Sequence, residues 1–127
     1  MARILLIDDD ELLRGMVHKT LQRAGFEVVD ACDGKVGLER MDEGHFDLVI
    51  TDMVMPEQEG IETVLALRAK HPQLPILAIS GGGRGKPGDY LAMASKLGAA
   101  GTLAKPFDND ELIAVVKELL GSSRGAS

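Results

Sequence analysis

Five short apolar runs, each trailed by a longer amphipathic stretch, restrict this chain to very few architectures. The runs are Ile4 to Ile7, Val28 to Ala31, Leu48 to Thr51, Ile76 to Ile79 and Leu103 to Ala104. Strands of this length alternating with helical stretches predict βα units, in which each helix crosses a face of the sheet and returns the chain parallel to the strand before it. The first helix places Leu12, Leu13, Met16, Val17, Leu21 and Ala24 on one face, and Gly25 stands where a helix-ending glycine belongs. Helices are also predicted over Asp33 to Gly44, with Val36, Leu38 and Met41, and over Gly60 to Lys70, with Ile61, Val64, Leu65 and Leu67, before Pro72. A further helix spans Pro87 to Leu97. The last spans Asp108 to Leu120, with acids in its first turn, a face of Leu112, Ile113, Val116, Leu119 and Leu120, and Gly121 as its stop.

Runs one, three and four are apolar on both faces, as central parallel strands must be, whereas Glu27 to Asp30 and Gly101 to Ala104 mix in polar or small residues and read as edges. That pattern predicts a five-stranded parallel sheet of order 2-1-3-4-5 between two helical layers, a flavodoxin-like doubly wound (βα)5 sandwich in the α/β class. A chain of 127 residues has room for one such domain, placed over residues 1 to 120. The small, polar stretch 121 to 127 is expected to be a disordered end or the start of a linker. The formal charge of 14 minus 20, or −6, argues against a surface that binds a nucleic-acid backbone. Cys32 is the only cysteine, so no internal disulfide can form, and it reads as a small buried hydrophobe. No apolar run approaches the roughly 20 residues of a membrane helix and no signal peptide opens the chain, so a cytoplasmic protein without membrane contact is expected.

In a doubly wound sheet, ligands bind beyond the carboxyl ends of the strands, near the point where the strand order reverses. Strand one runs into Asp8, Asp9 and Asp10, strand three into Asp52, strand four into Ser80, and strand five into Lys105 and Pro106. Each has an ordinary structural reading alone: the acids as a helix cap, Asp52 as a turn residue, Ser80 as a loop hydroxyl, Lys105 as a solvated charge. Together they put three carboxylates in one crevice, where like charges raise each other's pKa unless a cation is present. Acids with few other ligands, open to solvent, suit Mg2+, which keeps several waters and completes its shell with phosphate oxygens. Lys105 adds a second positive charge and Ser80 a hydroxyl, so charge on a transferring phosphoryl group would be met from three directions.

Through Ile7-Asp8-Asp9-Asp10, Asp52-Met53-Val54-Met55-Pro56, Gly60, Ser80 and Gly98 to Phe107, the chain resembles the receiver domains of two-component response regulators over residues 3 to 120. The resemblance implies that Asp52 accepts a phosphoryl group from a phosphohistidine on a sensor histidine kinase or histidine phosphotransfer protein. It implies Mg2+ held by Asp8, Asp9, Asp52 and the Val54 carbonyl, phosphoryl oxygens bound by Ser80 and Lys105, and a cis Lys105–Pro106 bond. Ser80, Thr102 and Pro106 occupy the switch and output positions. The signal would pass to a downstream protein partner or an output domain, and the domain would act as a monomer or weak dimer. Three departures stand out. Thr102 occupies the position of the family's usual switch aromatic, which rules out the common Thr-and-Tyr rotation. Val54 and Gly82 offer no side chain to position an attacking water, so slow self-hydrolysis of the acyl phosphate is expected. Glu57-Gln58-Glu59 stands where a small residue commonly follows the proline, with no consequence that we can assign.

An alternative is a phosphatase of the haloacid dehalogenase type, with Asp8 as nucleophile and Asp10 as general acid. Against it, Leu12 stands where that family favours Thr or Val, and no second acid pair follows a strand after Lys105. Gly83, Gly85 and Gly88 spell a literal GxGxxG, but outside the first βα turn, so a mobile loop is the better reading than a nucleotide site. His18, His45 and His71 share no metal-ligand spacing, so surface or packing roles are expected for them. Met53 and Met55 read as packing residues beside the site.

Overall fold

Alternate residues of the central strands feed two separate cores, and this is what makes the fold a three-layer one. A computed structural model describes residues 2–52, 59–80, 98–105 and 107–125. The strands are β1 (Arg3–Ile7), β2 (Glu27–Ala31), β3 (Leu48–Asp52), β4 (Ile76–Ser80) and β5 (Gly101–Ala104). All pair in parallel in the order β2-β1-β3-β4-β5, as expected. The described helices are α1 (Glu11–Arg23), α2 (Gly34–Glu43), α3 (Glu59–Lys70) and α4 (Asn109–Gly125). The helix expected over 87 to 97 and the glycine loop of 81 to 88 lie outside the described residues.

Ile4, Leu6, Leu48, Ile50, Leu77, Ile79 and Leu103 point to one face, where they meet Val17 and Leu21 of α1 and Leu112, Val116, Leu119 and Leu120 of α4. Leu5, Ile7, Val49, Ile76 and Ala78 point to the other, against Met41 of α2 and Val64 and Leu67 of α3. The period of two in the strands therefore matches a stripe on each helix. Asp33 caps α2 by accepting the Val36 amide at 2.8 Å, and Asp108 caps α4 through the Glu111 amide at 2.8 Å. At the end of α1, Gly25 takes φ +100° and the Phe26 amide returns to the Leu21 carbonyl at 3.1 Å, a Schellman closure that glycine makes cheap.

Four sequence expectations need correction. Leu12 and Met16 are exposed, at 77% and 59%. The α1 stripe that meets the sheet is Leu13, Val17 and Leu21, and Leu12 and Met16 sit one residue, about 100°, round the helix from it. Leu65 of α3 is likewise half exposed beside buried Val64. Cys32 is exposed, because β2 and its burial end at Ala31. Gly121 does not stop α4, which continues to Gly125: Gly121 stays helical, at a cost of about 1 kcal/mol in propensity, instead of adopting the left-handed conformation that ends a helix.

Candidate functional site

Strand register decides which polar residues meet. Ile7 of β1 pairs with Thr51 of β3, so the next residue on each strand, Asp8 and Asp52, sits side by side at the carboxyl edge. Both are 3% exposed, whereas Asp9 projects into solvent. Carboxylate oxygens of Asp8, Asp9 and Asp52 all lie within 4.8 Å of one another, the one such acidic group among the described residues. Ser80 pairs with Ala104, which places the Ser80 backbone at the same edge, one residue before Lys105. Lys105 reaches back across β4, and its Nζ donates to Asp52 Oδ2 at 3.0 Å. The Ser80 side chain, Val54 and Pro106 lie outside the described residues. Thr102 is exposed on β5, opposite Ala78.

Local hydrogen bonds separate capping from site chemistry within the acidic triplet. Asp10 is the cap: its Oδ1 accepts the Leu13 amide at 3.1 Å. Asp8 is held instead inside the turn. Its amide donates to the Ala31 carbonyl at 3.1 Å, and its Oδ1 accepts the Asp10 amide at 2.9 Å. Its own carbonyl accepts from Arg14 Nη1 at 2.7 Å. Arg14 escaped sequence reasoning, which weighed only the strand ends; its place in the second turn of a helix that starts at those acids was the available signal.

The Asp8 carboxyl is pushed up from 3.8 to about 6, chiefly by burial. The Asp10 amide pulls it back, the Asp52 carboxylate pushes it up, Lys105 pulls it back, and Asp9 pushes it up again. A cation between these acids would relieve that repulsion, and three carboxylates form the hard oxygen set that a divalent ion of the magnesium or calcium kind prefers. The same edge offers an ammonium already on one of the two buried carboxylates, an arrangement for an anion-transfer reaction at Asp52.

The family model of the response regulator receiver domain matches residues 4–117. The chain belongs to the response regulator receiver family. It is thus a receiver domain of two-component signalling, a signalling module. It is similar to the transcriptional regulatory protein CpxR of Escherichia coli K12, with 37% identity over 123 residues covering 97% of this chain and 51% of CpxR. Among solved structures it resembles the chemotaxis response regulator CheY4 of Vibrio cholerae, with 34% identity, TM-score 0.82, and coverage of 94% of this chain and 98% of that one. A response regulator receiver domain from Clostridium thermocellum shares 27% identity at TM-score 0.90, with both chains fully covered. The chain spans about half the length of the curated relatives it matches.

These matches give the dehalogenase-type phosphatase no support, and the site disfavours it independently. Asp10, its required general acid, is exposed and occupied in capping α1, outside the group formed by Asp8, Asp9 and Asp52. Among the described residues, no helix is long and apolar enough to cross a membrane.

Proposed function

We propose that this receiver domain takes a phosphoryl group onto Asp52 from the phosphohistidine of a sensor histidine kinase or histidine phosphotransfer protein. The observation that carries the reading is Lys105 Nζ at 3.0 Å from Asp52 Oδ2, beside Asp8 and Asp9. In the transfer, a carboxylate oxygen of Asp52 bonds to phosphorus while the P–N bond breaks. The imidazole departs with the electron pair of that bond and takes up a proton, leaving an acyl phosphate on Asp52.

Asp8, Asp9, Asp52 and the Val54 carbonyl would hold Mg2+. When bound, the ion supplies positive charge to the phosphoryl oxygens. Lys105 would serve the same end, moving from the unphosphorylated carboxylate to a phosphoryl oxygen. The Ser80 hydroxyl is assigned a further oxygen, and Ser80, Thr102 and Pro106 carry the change outward to a downstream protein or an output domain. With Thr102 in place of an aromatic, that relay runs through the backbone of β5 and the loop before it. The domain's own chemistry is limited to acquiring and slowly losing the phosphoryl group. The reading places it in the cytoplasm and needs no nucleic acid or membrane.

Incubation with acetyl phosphate and Mg2+ tests the proposal. The intact mass should rise by one phosphoryl group in the wild type and remain unchanged in Asp52→Asn. Labelling that survives Asp52→Asn but is lost in Asp8→Asn would overturn it.

A further inference from the structure

We propose that Arg14 is a positioning residue for the acidic site, held in place by Asp30, and that it strengthens Mg2+ binding by fixing the peptide that joins Asp8 to Asp9. The inference rests on the receiver reading above.

The Asp8 carbonyl belongs to the planar unit that links the two acids. Its orientation sets ψ of Asp8 and φ of Asp9, and from those angles both carboxylates project. At this point the chain has left β1, so among the described residues no strand neighbour takes up that carbonyl, and it needs another partner. Arg14 supplies it, donating from Nη1 at 2.7 Å, with its side chain only 17% exposed. The same guanidinium places Nε 3.8 Å from Asp30 Oδ2, and the other Asp30 oxygen lies 2.6 Å from His18 Nδ1. The planar fork holds its N–H groups at fixed angles, so the contact with the carboxylate orients the donor that serves the carbonyl.

The anchor is well chosen. Asp30 and Ala31 are consecutive in β2, and the Ala31 carbonyl receives the Asp8 amide at 3.1 Å. The residue carrying the buried acid is therefore tied to β2 through both its N–H and its C=O, the second tie running through Arg14. Groups that orient metal ligands from behind commonly affect metal affinity by 10–100-fold on removal.

The sign of the effect separates positioning from charge. Removing a cation near an acidic site would, by electrostatics alone, strengthen the binding of Mg2+. Loss of positioning weakens it.

The test is calorimetric titration of the full chain with Mg2+ alone, without phosphodonor, well below the melting temperature. Arg14→Ala should weaken binding about tenfold or more. Arg14→Lys should recover part of the loss, since it keeps one donor for the Asp8 carbonyl, and Asp30→Asn should fall between wild type and Arg14→Ala. At saturating Mg2+, acetyl phosphate labelling of Arg14→Ala should stay within about threefold of wild type, because the phosphoryl-contacting groups are untouched. Affinity in Arg14→Ala that is unchanged or increased, with the wild type binding normally, would overturn the positioning role and leave the receiver reading intact. A wild type that binds no Mg2+ would overturn both.

Discussion

Lys105 and Asp52 are 53 positions apart in sequence, yet the Lys105 ammonium rests 3.0 Å from Asp52 Oδ2. The carboxylate is almost wholly buried, while the lysine side chain keeps a fifth of its surface in water. The pair spans from β5 over β4 to β3, so it reports on the sheet order as directly as any strand pairing does. Before phosphorylation the lysine neutralises a buried charge, and in the proposed reaction it transfers that service to the incoming group.

Replacing Lys105 with Met should therefore cost stability as well as function. It leaves Asp52 charged without its cation, a change worth about 1–3 kcal/mol once the lysine's partial exposure is discounted. Urea melts in chelator at neutral pH should show that loss. Equal stability at neutral pH would mean that the contact carries no energy.

Asp8 predicts the opposite behaviour. Its carboxyl is pushed up to about 6 from 3.8, chiefly by burial. A raised pKa in the folded state contributes stability below pH 4 that is lost as pH rises through 6, so the ionised acid burdens the metal-free fold at pH 8. Asp8→Asn, which can still accept the Asp10 amide, should raise the melting temperature by a few degrees at pH 8 in chelator and by much less at pH 4. A melting temperature lowered equally at both pH values would contradict this account. In the wild type, Mg2+ should bind more weakly as pH falls through 6, because the ion competes with a proton for Asp8.

The period-two strands and the polar residues at their ends were legible in the sequence because both follow from chain geometry alone. Which runs are apolar on both faces marked the central and edge strands and suited the flavodoxin-like order β2-β1-β3-β4-β5, and that order brings Asp8, Asp52 and Lys105 together. What periodicity could not show is how wide a stripe each helix buries. Leu12, Met16 and Leu65 fit a helical face yet remain exposed, since the sheet beneath touches only part of each apolar arc. The division of labour among Asp8, Asp9 and Asp10 was also hidden, because any of them could cap α1 and only the turn geometry assigns that task to Asp10. Arg14 was hard to see for a related reason: its partner is a backbone carbonyl, which has no signature in residue identity, so only its place early in α1 pointed to it.

Close approach of α2 to β1 gives a packing prediction. A Cβ at Gly37 would overlap the Ile7 side chain, meeting both Cδ1 and Cγ1 inside contact distance. Gly37→Ala should thus destabilise the fold by about 1–3 kcal/mol despite alanine's better helix propensity. Adding Ile7→Val, which removes Cδ1, should recover part of it, as measured by paired urea melts. A stabilised Gly37→Ala would show that Ile7 moves aside freely.

For the acyl phosphate itself, Val54 and Gly82 present no polar side chain, and slow self-hydrolysis is expected. Val54→Asn adds a group able to hold water near phosphorus and should shorten the lifetime severalfold, followed by the decay of the phosphorylated mass. A lengthened lifetime would contradict the explanation.

The central claim, that Asp52 is the acceptor, is tested most directly by trapping the bond. Borohydride reduces an acyl phosphate to an alcohol, which turns a phosphorylated aspartate into homoserine. After labelling with acetyl phosphate and Mg2+, reduction and peptide mass spectrometry should find homoserine at position 52. Homoserine at position 8 instead, or at neither position in a protein shown to be labelled, would contradict the account.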